Sequence, residues 1–246
     1  MLIKELWLIG IGTGSEKHLT LEGCEAIRQV PFVLIPNKGK DKAALIELRM
    51  KILDACRFNG EIILFDYPVR DSRLPYDERV KLWHQEISKQ WKAAVSGVQG
   101  EGKVALLVWG DPSLYDSTIR IAKYLVPPPC LHVIPGITAI QALTAAHKIT
   151  LNSLAGSVKI TTGRRLKNEG WPDDVDTVVV MLDGETGFIE HNKQDLKIWW
   201  GAYLGSTEQV IFHGNLPINS KLIISKRHEL RARNGWIMDT YLMRRT

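Results

Sequence analysis

Apolar residues in the first half of the chain recur with two alternating periods. Residues 6–9 (LWLI) form a short apolar run closed by glycines, the pattern of a buried strand. Thr20 then opens a helical stretch reaching about Gln29, with Leu21, Cys24 and Ile27 on one face. Residues 32–35 predict a second strand, stopped by Pro36. Asp41 is placed to cap a helix whose apolar positions Leu45, Leu48, Ile52 and Cys56 keep a helical spacing. A third strand is expected at 61–65, then a loop at 68–75 marked by its prolines and charges. The stripe Val80, Trp83, Ile87, Trp91 and Ala94 predicts a long helix over 77–95, ended by Gly97 and Gly100. Residues 103–109 (KVALLVW) are almost continuously apolar, as in a strand buried on both faces of a parallel sheet. A helix at 117–125, a triproline break at 127–129, a strand at 131–134 and a helix at 138–147 follow.

The second half has a different texture. Strands are expected at 157–162, 177–182, 208–212 and 236–243, and helices near 192–203 and 221–233. No internal repeat is evident. The triproline sets the expected boundary between an N-terminal α/β domain, 1–130, and a C-terminal one, 131–246. The class is α/β, with a mainly parallel first sheet and a mixed second sheet.

Composition narrows the function classes. The chain has 246 residues, 45% hydrophobic and 24% charged, enough to bury a core without covalent staples. Cys24, Cys56 and Cys130 are widely spaced and form no CxxC or Cys/His cluster. A disulfide framework and a metal site are therefore not expected, and a reducing cytoplasm fits. The N-terminus lacks signal-peptide order, and no apolar run approaches the roughly 20 residues of a membrane helix. Net charge is +5 with the basic residues scattered, which permits an anionic ligand without the basic face a nucleic acid needs. Eight tryptophans are many for this length, so several should line a core or a large flat-ligand cleft.

Three glycine-bearing turns follow expected strands: GIGTG (10–14), GDPSLY (110–115) and PGITA (135–139). Each lies where ligands meet an open α/β sheet, outside the carboxyl ends of its strands. The spacing of the first argues against a dinucleotide fingerprint, since GxGxxG needs glycine at Ser15 and the second strand ends in no acidic residue. Asp111 is suited to hold a hydroxyl or cationic group, or to cap the next helix. Thr138 is suited to cap a helix and aim backbone N–H groups at a ligand.

Taken in order, the three segments resemble the tetrapyrrole methylase family, and the likeness extends through TTGR (161–164) and TVVVML (177–182). Thr13 and the Asp116-Ser117 continuation depart from its usual pattern, where proline and glycine are common. The resemblance implies two α/β domains, a homodimer, and S-adenosylmethionine held in an interdomain cleft. It carries donor contacts to Ile11, Gly110, Asp111, Leu114, Thr138, Ala139 and Leu182, with Met181 and His213 as further candidates. YPVRD (67–71), KLWHQEI (81–87), WWGAYLG (199–205) and GWIMDTYLMRR (235–245) are similar to one subgroup. Its members methylate precorrin-5 at C-1, release acetate and give precorrin-6A.

Methyl transfer from a sulfonium mainly requires two reactants to be positioned and water excluded, so no catalytic triad is demanded and no catalytic residue is assigned. The implied acceptor is a polycarboxylate ring, and Arg70, Arg73, Arg79, His84 and Arg164 are candidates to meet its carboxylates. The alternatives left open are another tetrapyrrole methylase, acting on a different precorrin or on uroporphyrinogen, and a nicotinamide oxidoreductase.

Overall fold

The apolar run at 103–108 becomes the centre of a five-stranded parallel sheet. A computed structural model describes residues 1–37, 43–71, 73–192 and 195–245. Its strands are β1 (Glu5–Gly10), β2 (Phe32–Asn37), β3 (Glu61–Asp66), β4 (Lys103–Val108) and β5 (Cys130–Ile134), in the order β3-β2-β4-β1-β5. All four pairings are parallel. Alternation divides the side chains between two apolar layers. Leu6, Leu8, Val104, Leu106 and Val108 pack against α3 (Tyr76–Ala94) and α4 (Thr118–Ala122) through Ile87, Trp91 and Ile121. Ile9, Ala105 and Leu107 pack on the other face against α1 (Leu21–Gln29) and α2 (Ala43–Ala55) through Ile27, Leu48 and Ile52.

Two local readings are corrected in this sheet. Pro36 does not stop β2, which pairs with β3 as far as Asn37 but with β4 only through Leu34. Beyond Leu34 the strand has a neighbour on one side, where a missing N–H is tolerated. Leu21 does not join the buried face of α1. It is 86% exposed in the first turn, and Gly23, Ala26 and Ile27 face inward instead. Thr20 caps α1 by accepting from Gly23 N at 2.9 Å. The expected cap Asp41 lies outside the described residues.

Contacts divide the chain into two units, Met1–Thr138 and Ala139–Thr246. The chain therefore passes the expected break at residue 130 and continues through β5, which pairs with β1 over five residues. The second unit holds α5 (Ala139–His147), β6 (Val158–Thr162), α6 (Gly163–Glu169), β7 (Thr177–Met181), β8 (Leu196–Ala202), β9 (Val210–Asn215), α7 (Leu216–Asn234) and β10 (Asp239–Arg245). Its strand order is β6-β7-β10-β8-β9, with β6 and β7 parallel and the other pairs antiparallel. The expected helix near 192–203 is overturned, because its described part contains strand β8. Leu196, Ile198, Trp200 and Ala202 point into the core every second residue, next to Val178, Val180, Tyr241 and Met243. α7 begins five residues before its expected start, with proline in its first turn and Gly235 at φ +73° after its end.

Candidate functional site

The strands β4, β1 and β5 are neighbours, and each runs into one of the three glycine turns. The turns pack backbone to backbone. A Cβ on Gly10 would lie 2.6 Å from Gly136 N and 2.9 Å from Gly110 O, and one on Gly136 would lie 2.2 Å from Gly110 O. Only glycine permits that approach. Gly12 and Gly110 also exchange backbone hydrogen bonds of 3.3 and 2.8 Å. Gly110 differs from Gly136: its added Cβ would meet nothing within 4 Å, but its φ is +69°. Its glycine serves the left-handed backbone, and the space a side chain would take is open.

Asp111 fastens two of these turns. Its Oδ2 accepts from Gly136 N at 2.9 Å, and its Oδ1 accepts from Ser113 N at 2.8 Å and from Ser113 Oγ. Burial pushes this carboxyl up, but the three donors outweigh burial and hold it below its ordinary value. Asp111 is thus an ionised clamp within the turns. Ile11 is wholly buried and gives its N–H to Val108 O at 2.9 Å, so its side chain is part of the core. Leu114 N donates to Asp111 O at 3.3 Å, and Thr138 closes the first unit.

In the second unit Ala139 opens α5 and Met181 ends β7. Leu182 follows at φ +53° with 66% of its surface exposed, a bulky apolar residue left outside the core in a strained conformation. His213 is not beside it. It lies on β9, three inter-strand steps from β7, or roughly 14 Å at ordinary strand spacing. Its ring meets His147 edge-on at 5.8 Å.

The candidate cations separate in the same way. The Arg70 guanidinium lies 3.8 Å over the Trp83 ring, and Trp83 Nε1 donates to Pro68 O at 2.7 Å. The His84 ring is 5.7 Å from that of Trp83 and its residue is 5% exposed. Burial, then the charges of Arg70 and Arg120, hold its imidazole below the ordinary value. Arg70 and His84 therefore share one cluster. Arg73 instead forms a two-pronged pair with Asp71 at 2.9 and 2.7 Å in solvent. Arg79 lies 5.6 Å over Tyr76, and Arg164 is an exposed residue of α6 in the other unit.

Residues 5–218 match the model of the Tetrapyrrole (Corrin/Porphyrin) Methylases. The chain belongs to this family of methylases. It is 40% identical to a precorrin-6A synthase [deacetylating] of Sinorhizobium sp, over 99% of this methylase and 96% of that protein. It is also similar to a solved structure described as a putative cobalamin synthesis related protein (CobF) from Corynebacterium diphtheriae. That likeness has a TM-score of 0.84 and 37% identity, over 98% of each chain. A uroporphyrin-III C-methyl transferase from Thermus thermophilus, solved with S-adenosyl homocysteine, shares the fold at TM-score 0.58 and 16% identity, over 97% of this methylase and 96% of that chain. Membership sets aside the nicotinamide reading of the first turn.

Sequence reasoning missed several residues of this methylase. Arg120 Nη1 donates to Asp116 O at 2.7 Å, and its charge acts on His84. Arg49 is buried in α2 and donates to Leu107 O at 3.1 Å and Leu45 O at 2.8 Å, with burial lowering it to about 10. Tyr67 beside it is pushed up to about 12, first by burial and then by the Asp116 charge. Arg49 had one signal, a charge within the apolar α2 pattern. Arg120 had none, because a cation on a short helix reads as solvated surface.

Proposed function

We propose that this methylase transfers the S-adenosylmethionine methyl group to C-1 of precorrin-5 and releases acetate, giving precorrin-6A. The observation that carries this reading is the likeness to a deacetylating precorrin-6A synthase over nearly the whole of both chains. The donor is a consumed substrate whose sulfonium already activates the methyl carbon. The protein's task is to align that carbon with a ring carbon and keep water from it.

The backbones of Ile11, Gly110, Leu114 and Thr138 meet the donor, with Asp111 acting through the Gly136 turn it clamps. Ala139, Met181, Leu182 and His213 are the proposed donor contacts of the second unit. Arg70, joined by Arg120, meets substrate carboxylates by charge-assisted hydrogen bonds, with the buried His84 supporting the cluster from beneath and Arg73 and Arg164 as outlying cations. The working species is a cytoplasmic homodimer. Among the described residues no helix is long and apolar enough to cross a membrane.

Acetate release requires a water oxygen to add to the acetyl carbonyl. The carbon–carbon bond to the ring then breaks, acetate leaves, the water's proton passes to solvent, and the electron pair returned to the ring carbon is available to take the methyl group as its bond to sulfur breaks. Incubation with precorrin-5 and labelled donor tests the whole reading. S-adenosylhomocysteine and acetate should appear in equal amounts. S-adenosylhomocysteine without acetate would assign the chain to a different methylation within the family.

A further inference from the structure

Three of the motifs, TTGR, WWGAYLG and GWIMDTYLMRR, converge with the residues that follow TVVVML on one buried polar network in the second unit. Asp183 follows Leu182 in MLDGET (181–186). Its Oδ1 accepts from Glu185 N at 3.0 Å, and its Oδ2 accepts from Gly187 N and from the Tyr241 hydroxyl, both at 2.7 Å. Tyr241 comes from the GWIMDTYLMRR segment and is completely buried on β10. Asp239, two residues earlier, accepts from Trp200 Nε1 of the WWGAYLG segment at 2.7 Å. It also pairs with Arg227 of α7, whose Nε lies 2.8 Å from Asp239 Oδ2 but off the N–H axis, and whose Nη2 lies 3.3 Å from Oδ1. The same Arg227 Nη2 donates to Asp183 O. Gly163 of the TTGR segment completes the set, since a Cβ there would lie 2.3 Å from Asp183 Cγ.

What this network holds is unusual. The 182–187 turn contains two non-glycine residues in the left-handed region, Leu182 at φ +53° and Thr186 at φ +58°. Each is strained by roughly 1–3 kcal/mol and persists only where surrounding contacts over-determine it. Here Asp183 supplies those contacts, taking two N–H groups of its own turn while Tyr241 and Arg227 fix it from behind. Leu182, at the carboxyl end of β7, is left exposed at the tip.

We propose that Tyr241, Asp183, Arg227 and Asp239 form a positioning device that holds the Leu182 turn in its donor-binding shape, with the Tyr241 hydroxyl the part that sets donor affinity. This rests on the reading of Leu182 as a donor contact. None of the four need touch a reactant; they act through the turn.

Tyr241→Phe removes one hydroxyl from a packed site and leaves the ring. In the full-length chain, calorimetry with S-adenosylhomocysteine should show a dissociation constant raised about tenfold, in the range expected for loss of a charge-assisted hydrogen bond. Steady-state kinetics should show a raised donor KM with the acceptor KM unchanged. A merely structural role would instead lower the melting temperature and the active fraction, reducing kcat while both KM values stay. Leu182→Asp separates the layers of the argument. If it weakens S-adenosylhomocysteine binding and Tyr241→Phe does not, the network is scaffold and the proposal is overturned, while the donor reading stands. If neither variant changes binding, the donor reading of this turn fails and the proposal fails with it. Should Tyr241→Phe not fold, Trp200→Phe, which removes the indole donor from Asp239, is read in the same assays with the same outcomes.

Discussion

At the scale of single residues, two glycines that read alike in sequence do different physical work, and substitution separates them. Gly110 needs its positive φ and has room for a side chain, whereas Gly136 has no room because Gly110 O occupies the Cβ position. Asparagine tolerates the left-handed region well, so Gly110→Asn should cost less than the about 1–2 kcal/mol expected for an ordinary residue there. Gly136→Asn overpacks a backbone contact and should cost at least about 1–3 kcal/mol. Urea unfolding checks the order, and equal losses would contradict it. Histidines supply a second test. Burial lowers His18, His84, His147 and His191 from their ordinary value, so the folded chain binds protons less readily than the unfolded chain. Their stabilising contribution is present above the unfolded pKa of about 6.5 and is lost as pH falls through the lowered folded values. The melting temperature should drop between pH 7 and pH 5, and His84→Phe should make that drop shallower. An unchanged slope in the variant would show that His84 is not the strained imidazole its surroundings imply.

Legibility in the sequence followed burial. β4 was visible because both of its faces are covered, leaving no polar interruption from Val104 to Val108. The glycine turns were visible by placement, but their mutual packing was not, since contact between segments about 100 residues apart leaves no local pattern. Asp111 was legible as important and not as a clamp, because its partner Gly136 is distant in sequence. β8 was misread because its polar approach and paired tryptophans hid the period-two alternation from Leu196 to Ala202. On α7 the buried residues Leu216, Ser220, Ile223, Arg227 and Leu230 keep helical spacing, with a charge inside the stripe. That charge gives a prediction at the level of paired elements. Burial pushes the Asp239 carboxyl up, while Arg227 and Trp200 pull it back toward the ionised form. Arg227→Met should destabilise the protein by about 3–5 kcal/mol, because it strands a buried carboxylate. Adding Asp239→Leu should recover a substantial part of that loss in denaturant midpoints. Additive losses would show that the two do not act as a pair.

At the scale of the whole chain the net charge of +5 is small, and what distinguishes the two substrates is where charge gathers. The proposed acceptor carries several carboxylates, and the cluster proposed to meet them holds Arg70 over Trp83 with His84 and Arg120 close by. Arg70 and Arg120 are exposed, so their attraction for an anion is screened over about 8–10 Å near physiological ionic strength. The proposed donor contacts of the first unit are peptide backbone at turns whose one carboxylate, Asp111, is already satisfied internally. Raising salt should therefore weaken acceptor binding and leave donor binding nearly unchanged. Arg70→Ala should follow the same division, raising the acceptor dissociation constant by about three- to tenfold, the range of one charge-assisted contact at a partly exposed site. It should also flatten the salt dependence, because one screened interaction has been removed. The measurement is a pair of titrations, acceptor and S-adenosylhomocysteine, across a salt series for the parent chain and the variant. If salt and Arg70→Ala shift both ligands equally, the cluster is a general feature of the surface and the acceptor's carboxylates are recognised elsewhere.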